Sequence, residues 1–152
     1  MSAPPVCGVP DPDAPCTVRV ALDAAAFGYD QLYSYTIGGE PAKQICAGMR
    51  VAVPFGMGNR RRIAMVLALG EAPAGQEEGH GFALKPIAAL LDREPVLTDE
   101  LQMLVDWLHE HTFCTWYDAV RAVLPGGMQL RLEQHYVVLE KPVGAKAGYR
   151  GP

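Results

Sequence analysis

At residue 98 the hydrophobic rhythm of this chain switches from the two-residue period of a strand to the 3.6-residue period of a helix, and that switch restricts the fold more than any single motif. Upstream, residues 17–23 (TVRVALD) place Val18, Val20 and Leu22 on one face of a half-buried strand. Residues 33–37 (YSYTI) are aromatic and β-branched, and Gly38-Gly39 ends them with a turn. Residues 49–55 alternate Val51, Val53 and Phe55 against Arg50 and Ala52, with Pro54 near the end, where a missing donor does least harm. Residues 63–69 alternate Ile63, Met65, Leu67 and Leu69, and residues 84–91 return as a short strand that Pro86 assigns to an edge. Downstream of 98, Leu101, Leu104, Val105 and Leu108 fall on one helical face, with Thr98 as N-cap and Asp99 and Glu100 in the first turn, where the helix dipole favours them. A second helix starts near Thr115, with Asp118 at capping spacing, and stops at Pro125-Gly126-Gly127. The pattern predicts an α+β domain: a small antiparallel β-barrel or curled sheet followed by two α-helices.

Composition allows such a core. A chain of 152 residues with 49% hydrophobic and 20% charged residues is long enough to bury roughly two thirds of its unfolded surface. No apolar run approaches the ~18 residues of a membrane span, so the chain reads as soluble, without a membrane partner and cytoplasmic. Residues 1–16, rich in Pro, Asp and Ala, lack the basic start and apolar centre of a signal peptide and suggest a disordered leader; residues 70–82 read as a polar, Gly-rich loop. Cysteines 7, 16, 46 and 114 are too far apart for a metal knuckle, and free thiols are expected. His109 and His111 fall on different sides of a helix, and no histidine shows metal spacing.

The net charge of -4 hides an asymmetry. Residues 17–62 carry six basic and three acidic groups, while residues 63–112 carry nine acidic and two basic. The first half can approach an anion that the second repels. Its cations concentrate in VPFGMGNRRRIAMV, where Arg60, Arg61 and Arg62 follow Gly56, Gly58 and Asn59 at what reads as a hairpin tip. Such a run is either a solvated tip or a set of phosphate contacts that carry no sequence information.

Taken in order, VRVALD, YSYTI, GMRVAVPFG, the Arg-rich hairpin, LKPIAALLDREPVLTDEL and WYDAVRAVLPGG resemble the N-terminal domain of the primosomal protein N-prime (PriA replication-restart helicase) family, from about Val18 to Gly127. The most telling pieces are GxRVxVPFG (residues 48–56), DxEPxL (92–97) and the turn Val123-Leu124-Pro125. The resemblance implies residues 17–127 as a DNA-binding domain for the 3′ end of the nascent leading strand at stalled, bacterial replication forks, with nucleoid association. Residues 128–152 would be the start of a truncated winged-helix domain or a tail. ATP, Mg and zinc belong in that family to a helicase motor further along. This chain has neither a phosphate-loop motif nor a close cysteine cluster, so no catalysis, cofactor or metal is expected of it. Other primosome proteins and a single-stranded DNA-binding protein would be partners only through the full-length protein, and a monomer is expected.

Carried over by position, the family's terminal-nucleotide pocket falls on Tyr33, Ser34, Tyr35, Gly56 and Lys85. Ser34 stands where the family has an aspartate, which puts base discrimination in question and leaves Asp30 as a substitute if its loop folds over the pocket. A terminus differs from internal strand by an exposed hydroxyl and an unstacked base, and aromatic faces gain roughly 1–3 kcal/mol per stacked base. Taken residue by residue, each of these positions has a plain alternative. The tyrosines are core aromatics, Gly56 an ordinary turn residue, Lys85 an edge-strand guard against aggregation, and the arginines a solvated tip. A structural or protein-interaction β-barrel without DNA contact therefore stays open, with the acidic-faced helix at 98–111 as a buttress or a docking element. A small hydrolase finds no nucleophile with a base and an orienting group.

Overall fold

The computed structural model describes residues 16–23, 27–71 and 83–133. Residues 1–15 of the expected leader, most of the expected loop at 70–82 and the tail beyond 133 lie outside them, while Cys16 already belongs to the first strand. Five strands, β1 (Cys16–Leu22), β2 (Tyr33–Ile37), β3 (Arg50–Phe55), β4 (Arg60–Glu71) and β5 (Ala89–Leu90), form an antiparallel sheet in the order β2-β1-β4-β3-β5. Three helices, α1 (Glu40–Gln44), α2 (Asp99–His111) and α3 (Trp116–Val123), complete the α+β fold.

Residues 85–91 curl the sheet towards closure by bonding to both of its edges. The Thr36 N–H donates to the Lys85 carbonyl (3.0 Å) and the Ile87 N–H to the Thr36 carbonyl (3.0 Å) on the β2 side. On the β3 side the Ala88 N–H donates to the Ala52 carbonyl (2.8 Å) and the Leu91 N–H to the Arg50 carbonyl (2.9 Å). Pro86 fits between because its neighbours supply both bonds to Thr36, so its missing donor costs nothing there. The segment changes partner halfway, which is why only Ala89–Leu90 forms a ladder where a strand over residues 84–91 was expected.

The alternation in the sequence divides two cores. Val18, Val20, Leu22, Tyr35, Ile37, Val51, Val53, Ala64 and Val66 meet inside the curl. The opposite face of the same strands gives Ala21, Met65 and Leu67 to a second core with Leu97, Val105, Ala119 and Val120. β4 is thus buried on both faces from Ile63 to Leu67, and each such large side chain contributes about 1.5–3 kcal/mol when fully buried. Both expected helices form with their expected caps: Thr98 accepts from the Leu101 N–H, and Thr115 accepts from the Asp118 N–H while its hydroxyl donates to the Asp118 carboxylate. The outer surface of α2 is not simply acidic, because Met103 and Trp107 stand exposed on it.

α1 plugs one end of the curl with Ala42 and Ile45. Beside it, Gly48 (φ 87°) and Arg50 knit β3 to the chain leading into α2. A Cβ at Gly48 would lie 2.4 Å from the Leu97 carbonyl oxygen, and the Gly48 carbonyl accepts from the Val96 and Leu97 N–H groups. The buried Arg50 guanidinium forks onto Asp92, with Nε to Oδ2 at 2.8 Å, while the Arg50 backbone N–H reaches the same oxygen at 2.9 Å and Nη1 donates to the Met128 carbonyl. The motifs GxRVxVPFG and DxEPxL are therefore two sides of one seam. Cys114 is a free thiol, whereas Cys46 is disulfide-bonded, which corrects the expectation of free thiols throughout.

Candidate nucleic-acid interface

Strand directions bring the end of β1, the start of β2, the end of β3 and the start of β4 to the end of the curl opposite α1. Three of the expected pocket residues meet at this rim. The Tyr33 ring packs edge-to-face on Phe55 with centroids 5.4 Å apart, and its hydroxyl donates to the Tyr29 carbonyl at 3.3 Å. Lys85 reaches across from the closing segment, its ammonium donating to the Gly56 carbonyl and to Asn59 Oδ1, both at 2.8 Å. Gly56 sits at φ 72° and Asn59 at φ 47°, left-handed conformations that glycine and asparagine tolerate, and these two residues bound the four-residue turn between Phe55 and Arg60. A Cβ built on Gly56 meets nothing within 4 Å. Unlike Gly48, it borders open space.

Tyr35 and Ser34 are placed differently. Tyr35 points into the core at 5% exposure, its hydroxyl donating to the Pro54 carbonyl at 3.0 Å, and burial together with Tyr33 pushes its hydroxyl pKa up to about 12. It supports the end of β3 rather than offering a face. Ser34, between the two tyrosines, turns to the opposite side of the strand and pairs with the exposed Arg19.

Arg60, Arg61 and Arg62 are exposed, but they are not the hairpin tip. β4 begins at Arg60, so the arginines pair with Phe55, Pro54 and Val53 and leave the sheet alternately. Arg61 and Arg62 line an open groove of about 240 Å³ together with Asp23 and residues 130–132. Burial raises the Asp23 carboxyl pKa, while the Arg62 cation and a hydrogen bond from the Ile63 backbone pull it down. Among the described residues no carboxylate lies within ion-pair distance of Lys85 or of the three arginines. Four cations therefore stand at this end of the curl without an ion pair among the described residues.

Asp30 does not turn towards the rim. Its carboxylate binds His109 Nε2 at 2.7 Å and accepts from the Trp116 N–H at 3.0 Å, and the His109 ring stacks on Trp116 at 3.8 Å. It clamps the loop before β2 to the helices, so it cannot stand in for the family aspartate at Ser34. Residue-by-residue reading missed Phe55 as the wall beside Tyr33 and Asn59 as the anchor of Lys85. The signal for Asn59 was its place after Gly-Met-Gly at a turn.

A family model of the PriA 3′ DNA-binding domain (3′BD) matches residues 19–125. The chain belongs to that family. The "Replication restart protein PriA" of Bacillus subtilis (strain 168) is 34% identical over 116 residues, a span that covers 76% of this chain and 14% of that protein. The 3′BD match takes in the seam and all the rim residues; residues 130–132, the second wall of the groove, lie beyond it. Among the described residues no helix is long and apolar enough to cross a membrane, and no group of three or more His, Cys, Asp or Glu side chains could hold a metal ion.

Proposed function

We propose that this 3′BD binds single-stranded DNA by its 3′ terminus at the open rim, and serves a replication-restart helicase by recognising the nascent leading strand at stalled forks. The observation that carries the reading is the Lys85 ammonium resting on the Gly56 carbonyl and Asn59, without an ion pair to any carboxylate among the described residues, beside the space that Gly56 leaves open. The terminal base stacks near Tyr33, the 3′-hydroxyl approaches the exposed backbone at Gly56, and Lys85 meets the last phosphate. Tyr35 and Pro54 hold the wall behind them. Ser34, on the opposite side of β2 from Tyr33, presents no hydrogen-bonding group to the terminal base, so little base preference is expected. Arg60, Arg61 and Arg62 engage further phosphates without reading sequence. ATP, Mg and zinc chemistry, and contacts with other primosome proteins, belong to the rest of a longer protein; the domain acts as a cytoplasmic monomer.

Oligonucleotides with a 5′ fluorophore and either a 3′-hydroxyl or a 3′-phosphate test this directly. The hydroxyl end binds more tightly, because a phosphate crowds the space at Gly56; equal affinity removes terminus recognition. A second reading, protein contact, is favoured on a different face by Met103 (70% exposed), Trp107 (53%) and Phe113 (98%) on and after α2. No measurable binding of either oligonucleotide by the intact chain would favour it.

A further inference from the structure

We propose that the groove between the start of β4 and residues 130–132 is a track for the sugar–phosphate backbone of single-stranded DNA, and that Arg131 is a DNA-contacting residue within it. The proposal rests on the terminal-pocket reading above and extends it to the strand that leaves the pocket.

Three guanidinium groups line this groove from two segments far apart in sequence: Arg61 and Arg62 from β4, and Arg131 from the chain after α3. None has a carboxylate within ion-pair distance among the described residues. Among the described residues Asp23 is the only acid in the lining, so against three guanidinium groups they keep a positive excess even with that carboxyl ionised. Guanidinium forks match the two non-bridging oxygens of a phosphate, and several in one concavity match a polyanion better than a single small anion. Leu130 and Leu132, 43% and 41% exposed, flank Arg131, while the buried Ile63 forms part of the same lining. Apolar surface between cations suits the sugars and bases of an unpaired strand. The groove opens at the same end of the curl as Tyr33, Gly56 and Lys85, so a strand whose last nucleotide sits at the rim meets it within a short run of chain. Backbone contacts of this kind add affinity and salt dependence without sequence preference.

The test uses the whole 152-residue chain and two 5′-labelled thymidylates, a dinucleotide and an oligomer of about eight residues, within the span that small barrels occupy on single strands. Arg131→Ala is expected to weaken the longer ligand by about threefold to tenfold at low salt, and to lower the salt slope by about 0.7, the share of one phosphate on a single strand. It leaves the dinucleotide unchanged, whereas Lys85→Ala weakens both ligands. Arg131 is exposed, so an unaltered melting temperature serves as the folding control. Unchanged binding of the longer ligand by Arg131→Ala overturns the track, while the loss in Lys85→Ala keeps the pocket. Equal losses on both ligands also overturn it, because Arg131 then belongs to the pocket itself. If Lys85→Ala changes nothing and Arg131→Ala weakens only the longer ligand, the track stands and terminus recognition falls.

Discussion

At one end of the curl α1 drops Ala42 and Ile45 into the interior, Gly48 lies against the Leu97 backbone and Arg50 is forked onto Asp92. At the other, Tyr33 and Phe55 are half-covered, Gly56 faces open space, and Lys85 and three arginines form no ion pair with a carboxylate among the described residues. Both ends use a positive-φ glycine, a basic side chain and the strands β3 and β4, yet one set of groups is satisfied within the protein and the other is not. A buried cation must find its anion inside the fold, whereas a cation left unpaired at a rim stays available to one outside. The same residue types thus do opposite work according to whether the seam closes over them.

The sharpest way to break this contrast is at the seam. Asp92→Ala strands the Arg50 guanidinium, and removing one partner of a buried pair costs about 3–5 kcal/mol, which lowers the melting temperature by roughly 10 °C or more. Below that temperature the proposed 3′-end binding is expected to survive, since the hydrogen-bond partners of Asp92 among the described residues lie at Arg50 and not at the rim. A variant that keeps its stability but loses DNA binding would put the seam in the functional site. Next in size is a matched pair of glycine substitutions. Gly48→Ala meets both the left-handed penalty and a Cβ only 2.4 Å from a backbone oxygen, so it costs of order 3 kcal/mol in urea denaturation. Gly56→Ala has the same sign of φ without a clash and costs about 1 kcal/mol, but it places a methyl in the proposed space for the terminal hydroxyl. Stability falling more in Gly48→Ala and affinity more in Gly56→Ala supports the contrast; the reverse order breaks it.

Much of the scaffold was legible in the sequence because it is coded locally. Val18-Val20-Leu22, the helical spacing from Leu101 to Leu108 and the caps Thr98 and Thr115 need only near neighbours to be interpreted. Features set by distant partners were not. α1 is five residues long, under two turns, and its one cue was Pro41 after Gly39. Arg60–Arg62 show no apolar alternation, so their place in β4 follows only from pairing with Val53–Phe55. The partner change around Pro86 depends on Thr36 and Ala52, both far away in sequence. The rim behaved in the same way. Lys85 and Gly56 are 29 residues apart and no spacing argument joins them; the family resemblance did, and the hydrogen bond between them gives that pairing a physical form. Asp30 shows the converse, since nothing near it in sequence announces His109 and Trp116.

The smallest expected change in stability falls on the residue with the most at stake in binding. Lys85→Ala removes two hydrogen bonds from an exposed turn whose geometry is already fixed by the Phe55–Arg60 pair and by the Asn59 N–H bond to the Gly56 carbonyl at 3.3 Å. Exposed charged contacts of this kind are worth about 0–1 kcal/mol, so the melting temperature moves by only a few degrees. If the ammonium meets the terminal phosphate, affinity for a 3′-hydroxyl oligonucleotide falls about tenfold at low salt and the salt slope becomes shallower by about 0.7. The two readouts separate the roles Lys85 can play. A lysine that merely staples the turn moves stability and leaves the salt slope alone. One that holds an anion moves the slope and leaves the fold as it was, and that second pattern is what a rim left unsatisfied by its own protein requires.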